Sequence, residues 1–245
     1  MAVGADVDEF VPIPTTGRTI ARDRRVRLSD VTASGRLRLD ALARYLQDVA
    51  SDDVDDAGIR GAWVLRRVAL ALGDLPHLRD EVTLTTFCSG AGARFAERRT
   101  TVETSAGVVA EAVALWVYVD SAGRPARLEP WFFDLYGEAA GGRQVTSRLR
   151  HPRPPADAAR RPWPLRVTDV DVLDHVNNAV SWAAVEDELA RRRPGRQLRR
   201  AAMEYRGAVD LDEPLVLRTV PRPDRLACWL TAGDEVKTSA VVTFG

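Results

Sequence analysis

Asp169, Asp171, Asp174, His175, Asn177 and Asn178 fall within ten positions, directly ahead of a run in which Trp182, Val185 and Leu189 recur at helical intervals. That spacing predicts a helix beginning near Asn177 with one buried face. The first amides of a helix have no partner within it, so they are free to bind an anion or a developing oxyanion, aided by the positive end of the helix dipole. A carboxylate and an imidazole beside such a start suit hydrolysis of an acyl group. The carboxylate can activate water or attack directly, and the amides can hold the charge that forms. Asp169, Asp174 and Asn177 also suit turn and cap positions, where Asp and Asn are favoured.

A helix must be placed against something to present those amides. The chain has 245 residues, 45% of them hydrophobic, enough for a substantial core. Lys plus Arg and Asp plus Glu number 35 each, so there is no global basic field of the kind that marks a nucleic-acid binder. Cys88 and Cys228 lie far apart in apolar runs, which argues against a disulfide scaffold and a metal cluster. The first residues, MAVGADVDEF, lack a signal-peptide core, and no apolar run approaches membrane-spanning length. A soluble, cytoplasmic protein is expected, with no cofactor and no metal.

In order along the chain, residues 1 to about 17 read as a lead-in arm and Thr19 to Leu28 as a strand. Leu39, Leu42, Leu46, Val49 and Ala50 then predict a helix stopping at Gly58, with Asp52 to Asp56 as a solvated end. Four strands follow: Trp63 to Leu72, Glu81 to Cys88, Ala93 to Glu103 and Val108 to Val119. In the last, Ala110, Ala112 and Ala114 are small enough to let a helix lie close. From Ser121 to about Pro162 the period fades into a connector whose Trp131, Phe132, Phe133 and Tyr136 suggest partial packing. After it the order repeats: a short strand ending at Thr168, a helix from about Asn177 to Arg193, and strands near Arg199 to Val209, Leu215 to Val220, Arg225 to Thr231 and Lys237 to Phe244.

An offset of 139 positions (169 − 30) aligns the halves: Asp30 meets Asp169, Gly35 meets Asp174, Arg36 meets His175 and Val64 meets Met203. Thr32 and Arg36 stand where the second half has Asp171 and His175, so a single site per chain is expected. The fold class is α+β, with residues 1–125 as a first unit, 126–162 as connector and 163–245 as the unit carrying the motif.

The stretch D-V-D-V-L-D-H-V-N-N, followed by a helix and M-E-Y-R-G, resembles the D-x-D-x-x-x-H-V-N-N motif of hotdog-fold thioesterases. The tandem arrangement, with R-L-R-L-D-A-L-A-R-Y-L-Q-D-V-A in the first half and W-V-x-x-D at Trp116 to Asp120, resembles the acyl-acyl-carrier-protein thioesterases in particular. The resemblance implies a tandem, or double, hotdog: two long helices, each wrapped by an antiparallel sheet, with the sheets side by side and an acyl site at the seam. It implies Asp171 as base or nucleophile, His175 as the motif histidine, and the helix start around Asn177 and Asn178 as the donor to the thioester carbonyl. Plant-type members have an asparagine where this chain has Leu173, and a glutamate and a cysteine where it has Ala208 and Val209, so the resemblance implies that Asp171 would have to act more nearly alone.

The implied reaction is release of a fatty acid from acyl carrier protein or from CoA. A carrier, acidic as a class, would dock on the arginines from 143 to 161 or from 191 to 200. Two alternatives stand beside it. Hotdog hydratases place their aspartate and histidine five apart, whereas Asp171 and His175 are four apart. A non-catalytic acyl-thioester-binding or regulatory hotdog protein would also account for the replaced positions. Glu204 reads as the buried partner of an arginine, His77 and His151 read as surface residues, and whether two chains pair as a homodimer is left open.

Overall fold

Leu39, Leu42, Leu46 and Val49 are buried along one side of helix α1 (Leu39–Asp56), as their spacing predicts. The computed structural model describes residues 10–59, 61–172 and 174–245, so the start of the lead-in arm and Leu173 lie outside the described residues. Before α1 come strand β1 (Thr19–Arg25) and a 3₁₀ turn (Leu28–Asp30). After it come β2 (Ala62–Leu72), β3 (Glu81–Ala91), β4 (Phe95–Thr104) and β5 (Gly107–Val119). Helix α2 (Pro130–Ala140) intervenes, and the order then recurs as β6 (Ala159–Pro162), a 3₁₀ turn (Val167–Asp169), α3 (Asn178–Arg192), β7 (Leu198–Tyr205), β8 (Leu215–Pro221), β9 (Arg225–Ala232) and β10 (Glu235–Phe244).

The strands form one ten-stranded antiparallel sheet in the order β1-β3-β4-β5-β2-β7-β10-β9-β8-β6. Each half contributes the same order outward from the centre, and the halves join where β2 pairs with β7, Val68 opposite Met203. Both central strands therefore have partners on both sides, and the join leaves no exposed edge. Helices α1 and α3 pack on one face, with Trp182, Val185 and Leu189 of α3 and Met203 and Leu226 of the sheet in the same core. Fully burying a leucine or valine there contributes about 1.5–3 kcal/mol.

The duplication extends to single hydrogen bonds. Asp30 and Asp169 each accept the amide three residues back, of Arg27 and Arg166. Val31 bridges to Leu37 as Val170 does to Val176. The Arg38 amide donates to the Asp30 carbonyl at 2.9 Å, and that of Asn177 to Asp169 at 2.8 Å. Gly35 and Asp174 occupy the same left-handed turn position, with φ of 87° and 61°. Asp tolerates that region better than most residues, which lets the second half keep the turn without glycine.

Four expectations are corrected. The aromatic stretch of the connector is a helix, α2, started by Pro130 and ended by Gly141 at φ 56°, and it packs Phe132 and Tyr136 against Cys88 and Ala96. The strand expected to end at Thr168 stops at Pro162, because Pro162 and Pro164 bring no ladder donors. The acidic end of α1 is not uniformly solvated: the Asp53 side chain is 2% exposed and receives Arg18 at 2.7 Å, Arg98 at 2.6 Å and Tyr136 at 2.8 Å.

His151 is likewise not a free surface residue. Arg67, Glu204, Ser239, Trp229 and Arg218 stand in register across β2, β7, β10, β9 and β8, on the face away from α1 and α3. Residues 148–155 of the connector lie along this row. Arg67 donates to the Arg148 carbonyl, Glu204 accepts the His151 amide at 3.0 Å, Trp229 donates to the Pro152 carbonyl at 2.9 Å, and Arg218 donates to the Pro155 carbonyl at 2.8 Å. Nδ1 of His151 is 3.1 Å from both the hydroxyl and the carbonyl oxygen of Ser239. The connector is thus a strap over the join. Burial, opposed by Glu204 and reinforced by Arg206 and Arg67, holds the His151 pKa below its ordinary value. The unfolded imidazole therefore takes up its proton first, so this contribution to stability is complete above about pH 6.5 and declines as pH falls below it. The expected result is that His151→Gln flattens the fall in melting temperature between about pH 6.5 and pH 5. An identical pH dependence in the variant would contradict the assignment.

Candidate active site

Asp171 sits half-buried in the turn closed by the Val170–Val176 bridge. Its backbone is fixed at both ends: its amide donates to the His175 carbonyl at 2.9 Å, and its carbonyl accepts the Asp174 amide at 3.0 Å. A carbonyl of Val209 holds the same turn, accepting the Val176 amide at 3.1 Å. The strand expected to run to Val209 ends at Tyr205, and Ala208 and Val209 lie in the loop after β7, against the motif. This loop brings the turn a backbone acceptor and no carboxylate.

Asn177 caps α3 as expected, with Oδ1 accepting the Ala179 amide at 2.9 Å, a bond worth about 1 kcal/mol to a helix. Its Nδ2 points the other way and lies 3.5 Å from Oδ2 of Asp171. One side chain therefore ties the helix start to the carboxylate. The next amide, that of Asn178, has no acceptor among the described residues, while the Asn178 carbonyl accepts the Tyr205 hydroxyl at 3.2 Å. His175 contributes its carbonyl to the turn. Its ring is exposed, makes no hydrogen bond among the described residues and lines neither cavity described next.

Two spaces meet at the first turn of α3. On one side is an open crevice of about 720 Å³ lined by Asp171, Asn177 and Ala179. Arg38, Arg44, Arg161, Arg166 and Arg191 also line it, each paired with Asp40, Asp169 or Asp187. Burial acts to raise the pKa of Asp40, but the bonds from Arg38 and Arg44 outweigh it and hold this carboxyl below its ordinary value. On the other side is a seam between the two helices and the sheet, lined by Leu46, Leu70, Ala112, Ala114 and Trp182, with Asn178 and Ala179 of the helix start also in its wall. The small side chains of Ala112 and Ala114 on β5 leave space in this seam. The seam has about 20 Å³ of free space, roughly one water, so an acyl chain enters only by moving its walls. Gln47, Thr100 and Arg98 also line it.

Cys88 and Cys228 are both buried and unpaired. Burial pushes the Cys88 thiol up to about 11 and raises that of Cys228 as well, so neither is a ready nucleophile. Glu204 is buried against Arg206 at 2.7 Å, on the strap side of the sheet. Arg38, Arg44 and Gln47 were not singled out from sequence. All three come from α1 or its approach, and their link to the motif is made only by the packing of α1 on α3.

The described residues include no helix long and apolar enough to cross a membrane. Comparison with known proteins gives a consistent picture. The model of the acyl-ACP thioesterase N-terminal domain matches residues 17–136, and that of the C-terminal domain matches residues 153–233. The uncharacterized protein Rv2001 of Mycobacterium tuberculosis is 28% identical over 242 residues, 97% of each chain. Among solved structures, a putative oleoyl thioesterase from Lactobacillus plantarum superposes with a TM-score of 0.80 at 20% identity, covering 94% of this chain and 97% of its own. The 12:0-ACP thioesterase from Umbellularia californica does so with a TM-score of 0.78 at 19% identity, covering 95% and 99%. These two likenesses establish the shared double-hotdog fold. With both halves matched by its models, the chain belongs to the acyl-ACP thioesterase family and is a thioester hydrolase.

Proposed function

We propose that the protein releases a fatty acid from acyl carrier protein, with Asp171 as the group that activates water or attacks the thioester carbonyl. The observation that carries this is the meeting of a charged crevice and an apolar seam at a helix start holding both a carboxylate and an unpaired amide. A thioester bound across that junction has its pantetheine arm in the crevice, its chain in the seam and its carbonyl at the Asn178 amide. Water adds to the carbonyl carbon as Asp171 takes its proton. Collapse of the tetrahedral oxyanion then expels the thiolate, which is reprotonated to give acid and thiol. In the alternative route Asp171 adds directly, the thiolate leaves, and water cleaves the mixed anhydride. The Asn178 amide stabilises the oxyanion in either case, an effect of about 3 kcal/mol per donor at a preorganised site.

Asn177 positions Asp171, and His175 holds the turn through its carbonyl. The crevice arginines are offered to the phosphate of the arm and to an acidic carrier. Arg166 and Arg191 have side chains 75% and 62% exposed, so each can exchange its present carboxylate for a ligand at little cost. The test is thiol release from matched acyl-carrier-protein and acyl-CoA substrates. Turnover on both, with the higher kcat/KM on the carrier protein, is the expected result. Saturable binding without thiol release would favour an acyl-binding or regulatory protein instead, and a preference for CoA would remove the carrier from the proposal.

A further inference from the structure

The two halves carry the same helix start, yet only one is open. In the first half the amide of Leu39, the counterpart of Asn178, is occupied: it donates to Oε2 of Glu186 at 3.0 Å. Oε1 of the same carboxylate pairs with Arg36, the counterpart of His175. Glu186 comes from α3, so the helix of one half plugs the start of the other. The plug is buried and charge-neutralised, and it leaves the Leu39 amide unable to receive a substrate oxygen.

The offset that aligns the halves makes Gln47 the counterpart of Glu186 (186 − 139 = 47). As Glu186 of α3 reaches Leu39 at the start of α1, so Gln47 of α1 lines the same seam as Asn178 at the start of α3. Gln47 is half-buried and its side chain makes no hydrogen bond among the described residues. It stands where a plug would stand, without the charge that makes one. We infer that Gln47 is a second substrate-contacting residue, its carboxamide N–H donating to the thioester oxygen opposite the Asn178 amide. Two donors, one from each half of the chain, then face the developing oxyanion. This assignment rests on the proposed reaction at Asp171, and it explains why a duplicated chain keeps one working site: a glutamate closes one start and a glutamine leaves the other available.

Two substitutions of similar shape separate this role from mere packing. Gln47→Met fills the same volume without a donor, and Gln47→Glu installs the carboxylate found in the closed half. Thiol release should fall at least about tenfold in kcat for Gln47→Met, with KM changed much less, because the bond strengthens as the oxyanion forms. It should fall further for Gln47→Glu, which plugs the Asn178 amide. Binding of a non-hydrolysable ketone analogue of the acyl thioester gives a readout independent of turnover, with Gln47→Met weakening it about threefold to tenfold. Melting temperatures close to that of the parent protein confirm intact folding. Values of kcat and analogue affinity within twofold of the parent in both variants would overturn the inference while leaving Asp171 in place. Absence of thiol release from the parent protein would instead overturn the reaction, and analogue binding would still decide the role of Gln47.

Discussion

Replacing Asp171 with asparagine is expected to lower kcat between about 10²- and 10⁴-fold, the range lost when a positioned acid or base is removed. The change keeps the shape of the side chain and its approach to Asn177. It leaves the turn intact, because the bonds that close it run through the amide and carbonyl of Asp171. Folding and substrate binding should therefore survive, with KM altered much less than kcat. His175→Ala should have the smaller effect, since its carbonyl remains and its ring is exposed. Steady-state thiol release together with a thermal melt checks both. An Asp171→Asn variant that turned over at the parent rate would place the chemistry elsewhere, whereas loss of activity with loss of the melting transition would speak only to folding.

Asp53→Ala is expected to be strongly destabilising. The carboxylate joins the segment before β1, β4 and α2 to the end of α1 through Arg18, Arg98 and Tyr136. Burial works to raise its pKa, and Arg98, Tyr136 and Arg18 outweigh that effect and hold it below the ordinary value. Burial, with the Asp53 carboxylate acting in the same direction, pushes the Tyr136 hydroxyl up to about 12. Removing the acid leaves the Arg98 side chain, 13% exposed, without its partner, whereas that of Arg18, 20% exposed, can turn toward water. Breaking a buried pair this way costs about 3–5 kcal/mol, and the escape available to Arg18 favours about 3. For a chain of this length that is a fall of roughly 6–12 °C in melting temperature. The sign with pH follows from the depressed pKa: the contribution is complete above the unfolded value near 3.9 and is lost as pH falls through the lower folded one. A melting temperature within 2 °C of the parent, using a scale of roughly 2–4 °C per kcal/mol, would show that the cluster is not a significant tie.

Much of this architecture was legible in the residues because it is local. Leu39, Leu42, Leu46 and Val49 mark their helix by period alone, and Asn177 marks the start of α3 by residue type. The duplication could be found by an offset because the turn before each helix is built from short-range backbone bonds, which need the same few residue types at the same spacing. Helix α2 escaped notice although Pro130 and Gly141 flank it, since its aromatic residues pack on β3 and β4 and show no helical stripe. Asp53 and His151 were misread because their partners lie far along the chain, where composition carries no information. The same limit hid the Glu186 plug, whose acceptor role is fixed by a residue 147 positions away. It also hid the meeting of Arg38, Arg44 and Arg166 with Arg161 and Arg191 in one crevice, since they come from three separate stretches.

The most direct measurement is a crystal structure with a ketone analogue in which a methylene replaces the thioester sulfur. The account predicts one molecule per chain, its carbonyl oxygen about 3 Å from the Asn178 amide, its chain parting the walls of the seam at Ala112, Ala114 and Trp182, and its pantetheine arm among the arginines beside Asp171. A carbonyl bound at the Leu39 start, or a chain lying outside the seam with Asp171 remote from the carbonyl carbon, would contradict it.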